Sequence, residues 1–533
     1  MGRVAYIQVI QADRLIHESN LRSLRTKTLP SDRGTIMDRN SKALAISVPA
    51  RAIWADPAMI MKEKEITNLK YWYALADALG CRGQELIDKI RKNQARRFIY
   101  LQRQVSLHIA GYIQGLNLTG VGSKPESKRY YPSGEVSAHL VGMTGIDGHG
   151  LEGVERSYDQ WLSGEPGKRI FRKDRHGRVV ENIALNKCKK GKDLTLTVDQ
   201  RLQTLAYRTV MQAMVDYRAH SASAVLLDIK RSSILAMVNA PSYNPNNRSN
   251  LVSSQMRNRV ITDIVEPGST VKPFVVLSAL ANGIADRDTA IDTGDGVFTI
   301  GGSRVIDVSK VGKASLREII KKSSNIGVAK LALQMPVEAL LGVYQSVGLG
   351  VTSGSGLVGE NTGIYPLRPR WSRFEVATLA FGYGIAVTPI QLAHAYATLG
   401  NLGKYGDLNI FESHGEVISR PRQAIDKKYA RQVLDYLEAA TQRGGSATNA
   451  AVPGYRIGAK TGTSRKATVG GYGDEYVALT AGVAPVSDPR LALVVVVNEP
   501  QGDQYYGGQV AAPVFAEIMR GALQMLNIAP DGT

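Results

Sequence analysis

The chain's apolar and polar positions change pattern near residue 190. Before that point, brief apolar runs alternate with turn clusters such as Asp38-Arg39-Asn40-Ser41 and Tyr131-Pro132-Ser133-Gly134, and charge is dense throughout. This pattern predicts an irregular, mostly extended α+β module over residues 1–190. After it, residues 193–199 alternate as a strand, and helical spacing takes over from Gln200. A hairpin is predicted for residues 224–229 and 234–238, joined by the polar turn Lys230-Arg231-Ser232-Ser233. Helical periodicity then marks a long middle region, including residues 272–281 and 316–334. Residues 455–460, 476–484 and 491–498 read as three successive strands, and 512–526 as an apolar closing helix. Strands at both ends of the 191–533 segment, with helices between them, predict one antiparallel sheet that collects strands from both ends beside a helical lobe. The fold class is therefore α+β and multidomain, with no internal repeat.

Composition adds bounds. A chain of 533 residues with 44% hydrophobic and 21% charged residues has material for several well-filled cores. Its 66 Lys+Arg against 47 Asp+Glu, net +19, favour polyanions near the surface without choosing among nucleic acid, anionic lipid and acidic substrate. The basic clusters at 187–192 and 91–97 lack the interleaved aromatics of a single-strand binder, so they read as solvated surface and no nucleic-acid partner is expected. Cys81 and Cys188 are too few for a disulfide framework and have no zinc spacing, and whether they pair stays open. No HExxH or comparable cluster appears, so neither metal nor cofactor is expected. No stretch reaches the roughly 18 apolar residues of a membrane span, and no signal peptide is visible. The abrupt apolar run at 4–10 reads as the continuation of a segment cut away.

Three short motifs carry candidate chemistry. In Glu266-Pro267-Gly268-Ser269-Thr270-Val271-Lys272-Pro273, Pro-Gly ends one segment and Ser269 is placed to start a helix, with Pro273 tolerable in its first turn. Three residues is nearly one helical turn, so the Lys272 amine falls on the face of the Ser269 hydroxyl. A lysine desolvated beside other cations is neutral enough to take a serine proton. Alone, Ser-x-x-Lys is commonplace. Ser323-Ser324-Asn325 supplies a hydroxyl that can relay protons and an amide that can hold a peptide carbonyl, although in isolation it is a helix cap or turn. Lys460-Thr461-Gly462-Thr463, at the end of a predicted strand, offers a fixed charge, close backbone approach and hydroxyls for a carboxylate. In this order within one domain, the three form the signature of penicillin-binding proteins and related β-lactamases.

The resemblance extends further. Arg33-Gly34-Thr35-Ile36-Met37-Asp38-Arg39, Arg129-Tyr130-Tyr131-Pro132-Ser133-Gly134 and Gly150-Leu151-Glu152-Gly153-Val154-Glu155 are similar to the N-terminal half of class B penicillin-binding proteins. The segments 265–273 and 322–328, with Phe381-Gly382-Tyr383-Gly384 and Tyr505-Tyr506-Gly507-Gly508, resemble the Gram-negative septal branch of that family, and the likeness runs from Gly2 to Pro530. It implies a pedestal or dimerisation-type module over 1–190 and a serine β-lactamase-like transpeptidase domain over 191–533. It also implies that Ser269 attacks the penultimate D-Ala carbonyl of a stem peptide, releases D-Ala and transfers the acyl group to an amine on a neighbouring strand. In that scheme Lys272 is the base, Ser323 and Lys460 relay a proton, and Asn325 holds substrate and orients Lys272. Backbone N–H groups of Ser269 and Thr463 form the oxyanion hole, Thr461 and Thr463 bind the substrate carboxylate next to Gly462, and Tyr505 and Tyr506 wall the cleft. The same resemblance implies β-lactams as covalent inhibitors, a single inner-membrane anchor preceding a periplasmic catalytic region, and a membrane glycan polymerase and division proteins as partners.

Departures from the family pattern are few. Asn40-Ser41 stands where the first motif usually has x-Gly, and Asn40 is expected to take the left-handed turn. The turn Lys230-Arg231-Ser232-Ser233 likewise lacks a usual glycine, and Thr463 is followed by Ser464-Arg465. Three alternatives share the same residues: a β-lactamase or β-lactam sensor, a carboxypeptidase, and a catalytically silent division scaffold. A Ser-His-Asp hydrolase does not fit, because there is no Gly-x-Ser-x-Gly elbow and histidines such as His139 and His394 read as packing or surface.

Overall fold

The computed structural model describes residues 6, 11–29, 31–174, 178–249, 251–412, 421–468 and 470–532. Apart from Tyr6, the apolar run at 4–10 lies outside them. Among the described residues no single helix is long and apolar enough to cross a membrane.

In the N-terminal half the strand Ala43–Ala55 pairs antiparallel with Val121–Tyr130, from Ile46 opposite Tyr130 to Ala55 opposite Val121, and with Ile99–Val105. The helices Leu69–Ala78 and Gly83–Lys92 cover it, placing Trp72, Leu75, Leu86 and Ile90 on Ile53 and Ile60 in a core of their own. A separate sheet joins Leu24–Leu29, Gly167–Lys173 and Val179–Asn186. The three N-terminal motifs meet at one buried carboxylate. Glu155 is fully buried and accepts from Arg33 Nε and Arg129 Nε, each at 2.6 Å, and Arg33 also reaches Asp159 at 2.6 Å. Motifs more than 100 residues apart in sequence are thus held by one charge cluster.

The two halves share a core and backbone bonds. Ile36–Met37 pairs parallel with Leu194–Thr195, so the expected strand at 193–199 is short and turned toward the N-terminal half. Asp38 Oδ2 accepts from Gln200 N at 3.1 Å, while Oδ1 accepts from Asn40 N and Lys42 N at 2.8 Å each. The left-handed residue of that turn is Ser41 (φ 62), the position where the family pattern has glycine, and not Asn40.

The C-terminal half is built on α1 (Gln200–Asp216), β1 (Ser221–Asp228), β2 (Ser233–Ala240), α2 (Lys272–Ala281), α3 (Leu316–Lys322), α4 (Asn325–Ala332), α5 (Pro389–Gly400), α6 (Lys427–Thr441), β3 (Gly458–Thr468), β4 (Gly471–Ala484), β5 (Leu491–Asn498) and α7 (Gly507–Met525). The sheet order is β2-β1-β5-β4-β3, antiparallel throughout, so strands from both ends of the domain do join one sheet as expected. Its central strands are buried on both faces. Leu226, Val495 and Val497 pack with Phe515 and Ile518 of α7, whereas Val225, Leu227 and Val494 pack with Phe274 of α2 and Tyr396 of α5. The β1–β2 turn places Ser232 at φ 49, and Asp228 Oδ1 accepts from the N–H groups of Lys230 and Arg231.

Two expected elements differ. The helical stretch over 316–334 is broken into α3 and α4, because Ser323 sits at φ 60 and Ser324 caps α4 by accepting from Gly327 N. Unbroken, the helix would carry Ser323 and Asn325 on different faces. The strand expected at 455–460 instead runs from Gly458 to Thr468, so the Lys460-Thr461-Gly462 motif lies inside an edge strand and not at its end.

Candidate active site

The nucleophile turn is a single 3₁₀ turn, Gly268–Val271, that runs directly into α2 at Lys272. Ser269 lies at the start of this helical segment, as expected, although neither the turn nor α2 has a side-chain cap. The tighter turn suits the chemistry, since residues three apart eclipse in a 3₁₀ helix and Lys272 follows Ser269 by three. Pro273 occupies the first turn of α2, as expected. Gly268 has φ 53, and a Cβ on Gly382 would lie 2.2 Å from Gly268 O, so the 381–384 loop crosses directly over the nucleophile turn. Gly268 N donates to Gly382 O, and Tyr396 OH on α5 donates to Thr270 O at 2.8 Å.

Lys272 is fully buried, and its Nζ meets Ser323 O at 2.6 Å, Asn325 Oδ1 at 2.6 Å and Ser323 Oγ at 3.2 Å. Burial and the neighbouring Lys460 hold its proton affinity well below that of an ordinary lysine, partly offset by Asp307. A neutral amine fits these partners, because the longest contact is to a hydroxyl able to donate as well as accept. Lys460 is also fully buried; it donates to Thr461 O at 2.9 Å, and burial brings its pKa down to about 7.

Asp307, a residue the sequence did not single out, organises the second motif. Its carboxylate accepts from Ser324 Oγ and Asn325 N at 2.5 Å and from Ile326 N at 3.0 Å, while Asn325 Nδ2 donates to Ile306 O at 2.8 Å. The α4 N-terminus and the Asn325 amide are thereby anchored to the hairpin of strands Val297–Ile300 and Ser303–Ile306.

Strand β3 closes the other side. A Cβ on Gly462 would come within 2.9 Å of Pro267 O, which explains why only glycine fits between β3 and the nucleophile turn. The position of a Cβ on Gly268 is 3.7 Å from Thr463 N, so the Thr463 amide lies beside the turn. Thr463 Oγ1 accepts from Gly507 N at 2.9 Å, leaving its own hydrogen free to donate. Thr461 Oγ1 instead donates to Ser446 O at 3.2 Å, so it must turn before it can donate to a carboxylate.

These elements enclose a cleft of about 1020 Å³ lined by Ser269, Ser323, Asn325, Thr461 and Thr463. Of the two tyrosines expected to wall it, Tyr506 lines the cleft, whereas Tyr505 stands behind it, stacked between Tyr476 and Tyr506 at 4.2 and 4.5 Å. Tyr383 and Tyr472 complete the aromatic side, edge to face at 5.4 Å, with Glu266 Oε1 accepting from Tyr472 OH and Gly384 N. Tyr472, Asp307 and Ser446 carried no motif signal, and Glu266, at the head of the nucleophile segment, was given no role. His139 and His394 lie outside the cleft, buried with Nε2 2.7 Å from a backbone carbonyl, and both cysteines are free and exposed.

Residues 222–520 match the penicillin-binding protein transpeptidase domain, and residues 28–196 match the penicillin-binding protein dimerisation domain. The chain is 48% identical to the peptidoglycan D,D-transpeptidase FtsI of Escherichia coli over 100% of its own length and 90% of that protein. It is 39% identical to the probable peptidoglycan D,D-transpeptidase PbpC of Pseudomonas aeruginosa over 99% of this chain and 93% of that one. Among solved structures, penicillin-binding protein 3 of Mycobacterium tuberculosis, complexed with aztreonam, superposes with a TM-score of 0.72 at 25% identity, covering 95% of this chain and 98% of that one. With a dimerisation domain ahead of a transpeptidase domain and full-length relatives of the same kind, this chain belongs to the class B penicillin-binding proteins.

Proposed function

We propose that the chain is a peptidoglycan D,D-transpeptidase of septal cell-wall synthesis, working through a Ser269 acyl-enzyme. Lys272 takes the Ser269 proton as the hydroxyl oxygen attacks the penultimate D-Ala carbonyl. The oxyanion forms between the N–H groups of Ser269 and Thr463, donors of a kind whose removal costs roughly a hundred- to a thousand-fold in rate elsewhere. The C–N bond breaks, the leaving amine takes a proton relayed through Ser323 and Lys460, and D-Ala departs. An amine from a second stem peptide then attacks the ester, an amide forms, and its proton returns to Ser269. Asn325 orients both Lys272 and the substrate, and Thr463, with Thr461 after rotation, holds the terminal carboxylate. Because β3 is an edge strand, an extended donor peptide can add to it as a further strand.

The observation that carries this reading is Lys272 buried without a carboxylate partner and bonded to both Ser323 and Asn325. The septal assignment is favoured by the higher identity to FtsI than to PbpC. We place the module division near residue 190, with 1–190 acting as pedestal and 191–533 as catalytic unit. A membrane-anchored protein facing the periplasm, partnered with a glycan polymerase and division proteins and inhibited by β-lactams, follows from the same reading. A D-Ala thioester donor with an amine acceptor tests it: wild type forms the cross-linked amide, while Ser269→Ala and Lys272→Ala do not. Equal product from all three refutes the mechanism.

A further inference from the structure

The cations that line the cleft are held in different ways, and Arg368 is paired with Glu375. On the β3 side, Arg465 is engaged: its Nε and Nη2 lie 3.3 and 3.2 Å from Tyr476 OH, and its guanidinium sits 5.6 Å from that ring. Arg304 and Lys322 line the same cleft, both exposed, with the Lys322 amine beside Gly444, and among the described residues no ion pair or side-chain hydrogen bond engages either. Two exposed cations with no carboxylate against them present uncompensated positive charge to whatever enters.

Their positions are fixed relative to the chemistry. Arg304 lies on the strand Ser303–Ile306, which Asn325 Nδ2 grips at Ile306 O and which leads into Asp307, the cap of α4. Lys322 ends α3, one residue before Ser323. Val308, 91% exposed, lines the same cleft. An extended donor peptide laid along β3 leaves Arg304 and Lys322 free to meet the second substrate.

We propose that Arg304 and Lys322 form the acceptor subsite, holding carboxylates of the incoming stem peptide while its amine reaches the Ser269 ester. This rests on the transpeptidase reading and concerns only the second half of the reaction. In that step the amine nitrogen bonds to the acyl carbon, the ester C–O bond breaks, and the amine proton passes through Lys272 to Ser269 Oγ. Acylation by donor or by penicillin needs no acceptor, so the two halves can be measured apart.

The test uses the thioester donor with two acceptors: an amine-bearing tripeptide with free carboxylates, and the same tripeptide fully amidated. For wild type the free-carboxylate acceptor is expected to show a KM about five- to tenfold lower, a preference that shrinks with added salt because exposed charges are screened. In Arg304→Gln/Lys322→Gln that preference disappears, while labelling by a fluorescent penicillin stays within twofold of wild type. Arg304→Lys/Lys322→Arg keeps both charges and retains the preference. A preference unchanged in the Gln pair, or an equal loss for both acceptors, overturns the subsite. Failure of wild type to form a penicillin adduct would instead overturn the proposed function.

Discussion

Two buried clusters of charge sit in this molecule and are solved in opposite ways. At the junction of the N-terminal motifs, Glu155 is matched by Arg33 and Arg129 with direct contacts of 2.6 Å. In the cleft, Lys272 and Lys460 are both fully buried and bond only neutral oxygens. The paired cluster locks segments distant in sequence. The unpaired one pushes both amines toward their neutral forms, which is the state a base requires. Burial of charge serves architecture where it is compensated and chemistry where it is not.

Exchanging the roles of the two clusters is the way to break that contrast. The largest effect is expected for Lys272→Met: loss of a general base lowers the rate of Ser269 acylation by about 10²- to 10⁴-fold. Its urea midpoint is expected to move much less than that of the next variant. Glu155→Gln leaves two buried guanidinium groups facing a neutral amide, and breaking such a pair costs about 3–5 kcal/mol. Urea unfolding reads this loss, while the acylation rate per folded molecule stays within twofold of wild type. If Glu155→Gln abolished acylation in the folded protein, the junction would belong to the chemistry and the contrast would fail.

A smaller effect sharpens the comparison. Folding lowers the Lys460 pKa from its ordinary value to about 7, so between about pH 7 and 10 the unfolded chain binds a proton that the folded one does not. Stability therefore rises with pH across that window through this group, and the penalty of burying the charged form is fully present below pH 7. Urea midpoints of wild type and Lys460→Met at pH 7 and 9 check this. Part of the wild-type rise with pH is expected to vanish in the variant.

Much of this arrangement was legible in the sequence because the chemistry needs particular side chains at fixed local spacing. Ser269 and Lys272 are three apart, and Ser323 and Asn325 two apart, so each pair is set by one turn of backbone. The sheet was legible from the near-continuous apolar runs at 476–484 and 491–498, where packing on both faces leaves little freedom. The break between α3 and α4 was not, since Ser323 adopts φ 60 only because Asp307, from a separate hairpin, captures Ser324 and Asn325. The Lys460 motif is expected at the end of its strand, but pairing with β4 carries the strand on to Thr468. Tyr505 and Tyr506 are adjacent and look equivalent, yet the Tyr505 ring is stacked between Tyr476 and Tyr506 and only Tyr506 lines the cleft. Glu266, next to the nucleophile motif, gains its role only where the Tyr472 hydroxyl and the 381–384 loop converge on it.

The claim on which the rest depends is that Lys272 loses its proton far more readily than a free lysine. The pH dependence of Ser269 acylation by a fluorescent penicillin, measured from pH 5 to 11 as a second-order rate, reads this directly. The rate is expected to rise on an acidic limb and reach its plateau well below pH 10, with that limb absent from the residual activity of Lys272→Met. A rate that keeps climbing through pH 10, as an ordinary lysine would dictate, would contradict it.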